Sequence, residues 1–232
     1  MSECVARTRK SLGRLALEYG TDKGPHGHNY TRHYQQYLDD RVPDTINRIL
    51  EIGVAHAASL RMWADYCPRA QVTGLDNDPR GDYPATDRIR VILGDQHDLV
   101  KLRDIAAEYG PFDLIVDDGS HVCEDIILSF ETLWTYMVPG GLYSIEDLHT
   151  SYWSDRKAIE YFKGLVDTIN LNGNSGWGDV RNDPEFSRLI ESLSPLQQCV
   201  ESVSFFKSLV WVNMRDVDRL ATASKSSAVG AA

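Results

Sequence analysis

Between residues 48 and 148, short apolar runs alternate with amphipathic ones, and no other feature of the chain restricts its fold as much. Arg48–Val54, Gln71–Asp76, Ile89–Leu93, Phe112–Asp117 and Leu142–Glu146 are apolar-rich runs of strand length. Ala57–Tyr66, Leu99–Tyr109 and Val122–Tyr136 carry apolar residues at helical spacing, and Pro139-Gly140-Gly141 is expected to stop the last of them. A strand covered on both faces loses the in–out alternation of a half-exposed sheet. Such runs between helices therefore predict a parallel sheet with helices on both sides.

The C-terminal part reads differently. Asp155–Leu171 has a helical pattern through Ile159, Phe162, Leu165, Val166 and Ile169, the glycine-rich 172–179 reads as a loop, and Pro184–Leu193 as a short helix. Val200–Phe206 and Leu209–Met214 are separated by two residues, the spacing of a β-hairpin. Five parallel strands followed by an antiparallel hairpin predict a Rossmann-like α/β fold of the class I S-adenosylmethionine (SAM) methyltransferases, with a seven-stranded, mostly parallel sheet. A dinucleotide-binding dehydrogenase would instead close with a parallel sixth strand. One domain is expected over 1–232: a helical cap (1–45), a cofactor- and metal-binding core (46–153), helices and the hairpin (154–220), and a frayed tail (221–232).

Composition excludes some partners. The chain has 24 Lys and Arg against 34 Asp and Glu, a net charge of −10. That sign repels nucleic acid and anionic membranes. No apolar run approaches the ~20 residues needed to cross a bilayer. The N-terminal twenty residues read as an amphipathic helix and not as a secretion signal. Cys4, Cys67, Cys123 and Cys199 are scattered and make no C-x-x-C pair, so reduced thiols and a cytoplasmic location are expected.

In open α/β sheets, ligands bind beyond the carboxyl ends of the strands. The five strand ends here carry Glu51 and Gly53 (with Ser59 on the next helix), Asp76-Asn77, Asp95-Gln96, Asp117 to His121, and Glu146-Asp147. A carboxylate after the second strand can accept both hydroxyl hydrogens of a ribose, which makes Asp76 the ribose clamp, with Asn77 beside it. Asp95 and Gln96 are placed for an adenine edge, and Glu51 or Asp117 for the methionine end. Thr21 and Lys23 are placed to close over that end, although their turn could equally just terminate a helix. The first loop lacks G-x-G-x-x-G, which a dinucleotide needs because its pyrophosphate touches the backbone. SAM has no phosphate, so the missing glycines favour SAM over NAD.

Seven segments carry a resemblance: Gly20–Lys23, Leu50–Val54, Ser59–Trp63, Arg88–Gln96, PFDLIVDDGSH (Pro111–His121), SFETLW (Ser129–Trp134) and PGGLYSIEDLHTSYW (Pro139–Trp153). Together they resemble the catalytic domain of the macrolide sugar O-methyltransferases, over about residues 17–153. Cephalosporin hydroxylase-like methyltransferases share a weaker version. The resemblance implies dependence on SAM and Mg2+, a sugar hydroxyl of an antibiotic as acceptor, metal ligands at Asp118, Glu146 and Asp147, and His121 as general base. The sequence departs from that family in its first loop, which has fewer glycines. It is also expected to lack the long N-terminal domain that, in that family, helps shape oligomer and acceptor pocket.

The chemistry needs such residues on its own account. A sugar hydroxyl is a poor nucleophile, so the enzyme must align oxygen, methyl carbon and sulfur and remove a proton. Alignment supplies roughly 7–11 kcal/mol in favourable cases, and a positioned base roughly 10²–10⁴-fold. Magnesium prefers hard oxygen ligands, and clustered carboxylates without a cation would repel one another. The bland readings are that Asp118 caps the following helix and that Glu146-Asp147 form a solvated loop. Catalysis is thus expected from His121 with Asp118. His149, Tyr152 and Trp153, with Trp177, are expected to meet a small-molecule acceptor such as a glycosylated natural product. His26, His28 and His33 carry no comparable signal. Alternative acceptors are a catechol, an amine or a cephem. A different class of reading is a non-catalytic SAM-binding partner protein, and an NAD dehydrogenase is the remotest. Assembly into a homo-oligomer is expected.

Overall fold

The computed structural model describes residues 9–41, 43–78, 83, 86–173 and 184–216. The tail after residue 216 and Trp177 lie outside them. The chain divides into two compact units, Met1–Leu93 and Gly94–Ala232.

The first unit opens with two helices, α1 (Leu12–Tyr19) and α2 (Thr31–Asp40). The Ser11 side chain accepts from Arg14 N to start α1, and Gly20, at φ 76°, ends it in the left-handed conformation that glycine adopts without strain. Leu12, Leu15 and Ala16 form its buried stripe. Next come β1 (Arg48–Ile52), α3 (Ala58–Tyr66), β2 (Gln71–Asp76) and β3 (Ile89–Leu93), with the strands parallel in the order β3-β2-β1. Their register pairs Glu51 with Gly74 and Asp76 with Leu93. A Cβ on Gly74 would stand 2.5 Å from Val54 and 2.9 Å from Leu60, so α3 packs this closely only over a glycine.

The second unit holds α4 (Leu99–Tyr109), β4 (Phe112–Asp117), α5 (Cys123–Leu133), β5 (Met137–Ile145), α6 (Lys157–Gly173), α7 (Pro184–Glu191), α8 (Pro195–Gln198), β6 (Val200–Phe206) and β7 (Leu209–Met214). The strand order here is β4-β5-β7-β6. β4 and β5 are parallel, and β7 is antiparallel to both β5 and β6. Phe130 centres the core, with the rings of Trp134, Tyr143 and Phe162 between 5.1 and 5.2 Å away. Among the described residues the strands number seven, parallel except for the C-terminal pair, as expected for the class I methyltransferase architecture.

Several boundaries differ from expectation: β1 ends at Ile52 and not Val54, α6 runs Lys157–Gly173 and not Asp155–Leu171, and α7 ends at Glu191 and not Leu193. α5 gives way to a 3-10 turn at Trp134–Tyr136. Pro139-Gly140-Gly141 does not stand outside the fifth strand but inside it: the pairing steps from Phe112–Met137 to Leu114–Leu142, and Gly140 sits at φ 72°. This is a bulge, which glycine tolerates and which leaves an apolar strand on either side.

Candidate active site

The β4–β5 register decides what the second unit presents at its strand ends. Asp117 is paired with Ile145, and Glu146 N donates to Asp117 O at 2.9 Å. The loops leaving both strands therefore start side by side. Ligand atoms of Asp118, His121 and Asp147 lie within 4.8 Å of one another, with His121 Nε2 4.0 Å from Asp118 Oδ1. All three side chains are half-buried.

Two of these residues occupy unusual backbone conformations, His121 at φ 58° and Asp147 at φ 51°. A non-glycine residue in the left-handed region is disfavoured and persists only where its surroundings hold it. Thr150 supplies part of that hold. Its hydroxyl reaches Asp147 O at 2.9 Å and His121 O at 3.3 Å, bridging the two loops, and its N–H also donates to Asp147 O at 2.9 Å. No spacing in the sequence marks Thr150 for this task.

Behind the loop lies a buried polar network. Gln96 Nε2 donates to both Asp117 oxygens, at 2.8 and 2.9 Å, while Gln96 Oε1 accepts from Ser120 N at 2.8 Å. Ser129 Oγ donates to Asp117 Oδ2 at 2.6 Å, and the Tyr143 hydroxyl lies 3.4 Å from the same oxygen. Burial pushes the Asp117 carboxyl up to about 7, against the opposing effect of its bonds from Ser129, Gln96 and Gly119 N. Gln96 and Asp117 were expected to face the cofactor. Both are buried and bonded to one another, to Ser129 and to the Ser120 backbone, since a buried carboxylate is held by the donors within its reach.

Glu146, expected among the metal ligands, is 1% exposed and is not one of the three residues of the Asp118–His121–Asp147 group. The 3-10 turn Leu148–Trp153 follows Asp147. On it, His149 Nδ1 meets the Ser208 hydroxyl in the β6–β7 turn and lies 3.8 Å from Asp147 Oδ1. Trp153 is 78% exposed and packs edge-on against His149. It lines a cavity of about 620 Å³ together with Ser120, His121, Cys123 and Thr150. His149 and Tyr152 instead line a separate cavity of about 380 Å³ with Phe205 and Phe206, so the three expected acceptor residues fall into two spaces. Asp95, on the loop after β3, accepts at Oδ1 from His97 N (3.3 Å) and lies 2.8 Å from His97 Nδ1.

In the first unit, Asp76 is half-buried at the end of β2, and Asn77 is exposed. Asp76 Oδ2 accepts from Val54 N (2.7 Å) and Ala55 N (3.0 Å), and Oδ1 from Asp78 N (2.8 Å). The loop it fastens runs through Gly53 (φ 84°), Ala55 (φ 48°) and Ala57 (φ 56°) before Ser59 is buried on α3. Glu51 is fully buried: Oε2 accepts from Trp63 Nε1 at 2.8 Å, and Oε1 lies 3.3 Å from Lys23 Nζ. Lys23 is itself 2% exposed, and Thr21 accepts from Lys23 N at 3.4 Å.

An octahedral Mg2+ with ligands at about 2.1 Å spans about 4.2 Å from ligand to opposite ligand. The group of Asp118, Asp147 and His121 is close to that span and offers two hard oxygen donors. The residues present therefore fit a hard divalent cation.

A family model described as a methyltransferase domain matches residues 50–148. The chain is 38% identical over 182 residues to mycinamicin VI 2''-O-methyltransferase of Micromonospora griseorubida, covering 75% of this chain and 43% of that protein. It is 36% identical to demethylmacrocin O-methyltransferase of Streptomyces fradiae (69% and 45% covered). It is 40% identical to L-olivosyl-oleandolide 3-O-methyltransferase of Streptomyces antibioticus (68% and 46%). The chain thus spans about half the length of the curated relatives it matches. Among solved structures, the MycE methyltransferase of mycinamycin biosynthesis, in complex with Mg, SAH and mycinamycin VI, aligns with a TM-score of 0.75. Sequence identity there is 30%, over 90% of this chain and 56% of that one.

Proposed function

Because the chain carries a methyltransferase domain and is a relative of the sugar O-methyltransferases of antibiotic pathways, we propose that it moves the methyl group of SAM to a hydroxyl of a sugar on a small natural product, with Mg2+ bound. The observation that carries this reading is the approach of Asp118, His121 and Asp147 to within 4.8 Å.

For SAM, Asp76 takes the ribose hydroxyls beside Asn77, and Asp95 takes the adenine edge. Gly53 and Ser59 belong to the loop and helix that leave room for the nucleoside, and Glu51, Lys23 and Thr21 serve its methionine end. Asp118 and Asp147 hold the cation, with Glu146 next to them in the chain. A bound Mg2+ would stabilise the developing alkoxide by several kcal/mol. His121 stands 4.0 Å from Asp118 and faces the same cavity as Trp153, where it takes the hydroxyl proton. Trp153 supplies a flat exposed face for a sugar ring. Tyr152 and His149 line the neighbouring cavity, for other parts of the acceptor.

No helix among the described residues is long and apolar enough to cross a membrane. A cytoplasmic enzyme assembled from several copies, without nucleic-acid or membrane partners, completes the reading. The test is a mass-shift screen of glycosylated natural products with SAM and Mg2+, with catechols, amines and cephems alongside. A gain of one methyl group on glycosylated compounds, lost in excess chelator and in Asp118→Asn, is expected. Methylation that persists undiminished in chelator would defeat the metal assignment. Methylation of catechols, amines or cephems alone would defeat the sugar assignment.

A further inference from the structure

Gln96 is 5% exposed, and its amide is fully engaged on two sides. The nitrogen ties both oxygens of Asp117, the last residue of β4. The oxygen accepts from the backbone N–H of Ser120, in the middle of the loop between Asp118 and His121. One side chain from the loop after β3 thus fixes both the root and the crest of the β4–α5 loop. Ser129 Oγ, 3.0 Å from Gln96 Nε2 and 2.6 Å from Asp117 Oδ2, closes the triangle from α5. His121, one residue beyond Ser120, is held at φ 58°, a conformation that a loop released at Ser120 would leave.

We propose that Gln96 is a positioning residue for the cation site, acting through Ser120 N and Asp117 to hold Asp118 and His121 within reach of Asp147, and that it contributes nothing directly to adenine recognition. The inference rests on the metal assignment above. It separates from the adenine reading because the two place the effect of a substitution on different ligands.

A side chain that matches amide shape without its polar atoms, Gln96→Met, removes both ties at once. Ser129→Ala removes one corner of the triangle and leaves the Ser120 bond in place. The probes are Mn2+ alone, followed by its electron paramagnetic resonance signal, and SAH, followed by calorimetry, on the full chain. Asp118→Asn with Asp147→Asn serves as the control without a cation site. Gln96→Met should weaken Mn2+ binding at least tenfold while SAH affinity stays within twofold, and Ser129→Ala should fall between Gln96→Met and wild type. A merely structural role would lower both affinities together. Weakened SAH with unchanged Mn2+, equal loss of both, or Mn2+ binding unchanged in both variants overturns the inference while leaving the cation site standing. Wild-type Mn2+ binding no better than the control overturns the cation site itself and the inference with it.

Discussion

Lys23 and Glu51 place opposite charges 3.3 Å apart in the interior of the first unit, at 2% and 0% side-chain exposure. A buried pair contributes little net stability over an apolar pair, but removing one partner strands the other charge, at a cost of about 3–5 kcal/mol. Lys23→Met should therefore shift the denaturant midpoint far more than Lys23→Met combined with Glu51→Gln, in which the amide still accepts from Trp63. Equal midpoints for the two variants would show that the pair carries no coupling. The sequence marks both residues, Lys23 in GTDK and Glu51 in LEIG, but no period links positions 23 and 51, so their pairing was not legible. Gln96 and Asp117 show the same limit. A strand-end position can be read from an apolar run that stops, whereas the side on which a loop residue then packs depends on donors that arrive from distant helices. Asp118 and Asp147 were read as ligand candidates through the family resemblance, and both lie within two residues of the ends of β4 and β5. Nothing in D-G-S-H shows that His121 takes a left-handed conformation with Nε2 4.0 Å from Asp118 Oδ1.

At the scale of elements, β2, β3, β4, β6 and β7 lie where their apolar runs begin and end, and α4 where its pattern does. β5 was misread at its start because Pro-Gly-Gly signals a turn in isolation, and only pairing with β4 on one side and β7 on the other turns it into a bulge. Helix starts follow local chemistry more closely. Asp98 Oδ1 accepts from both Val100 N and Lys101 N at 3.0 Å, filling the first open donors of α4. Asp98→Ala should cost about 1 kcal/mol in chemical denaturation and leave SAH and Mn2+ binding unaltered. A loss of cation affinity would mean that α4 transmits strain to the loop that begins at Gln96. The β6–β7 turn bears on the site more directly. Leu148 N donates to Ser208 O at 3.1 Å, and His149 meets the Ser208 hydroxyl, so the hairpin holds the segment that follows Asp147. Ser208→Ala keeps the backbone bond and removes the side-chain one. It should cost no more than about 1.5 kcal/mol of stability in the same denaturation assay, with a measurable fall in kcat. Unchanged kcat would confine the hairpin to a structural role.

For the molecule as a whole, the proposed ligands should appear as stability. A ligand that binds only the folded chain adds RT ln(1 + [L]/Kd), about 2.7 kcal/mol at a hundredfold excess over Kd. For a chain of this size, each kcal/mol moves the melting temperature by about 2–4 °C, so saturating SAH should raise it by roughly 5–10 °C. Mg2+ should add a further rise, but here the net charge of −10 intrudes. Any salt screens the self-repulsion of an acidic chain and stabilises it without occupying a site. The informative comparison therefore holds ionic strength constant with sodium chloride and sets wild type against Asp118→Asn combined with Asp147→Asn. The double variant also sheds two negative charges, so its own baseline should rise slightly while its response to Mg2+ vanishes. Its response to SAH should remain, because the residues assigned to the nucleoside are untouched. A Mg2+ shift of equal size in both proteins would mean that the ion acts on the acidic surface at large, and the strand-end carboxylates would lose their claim to a specific cation.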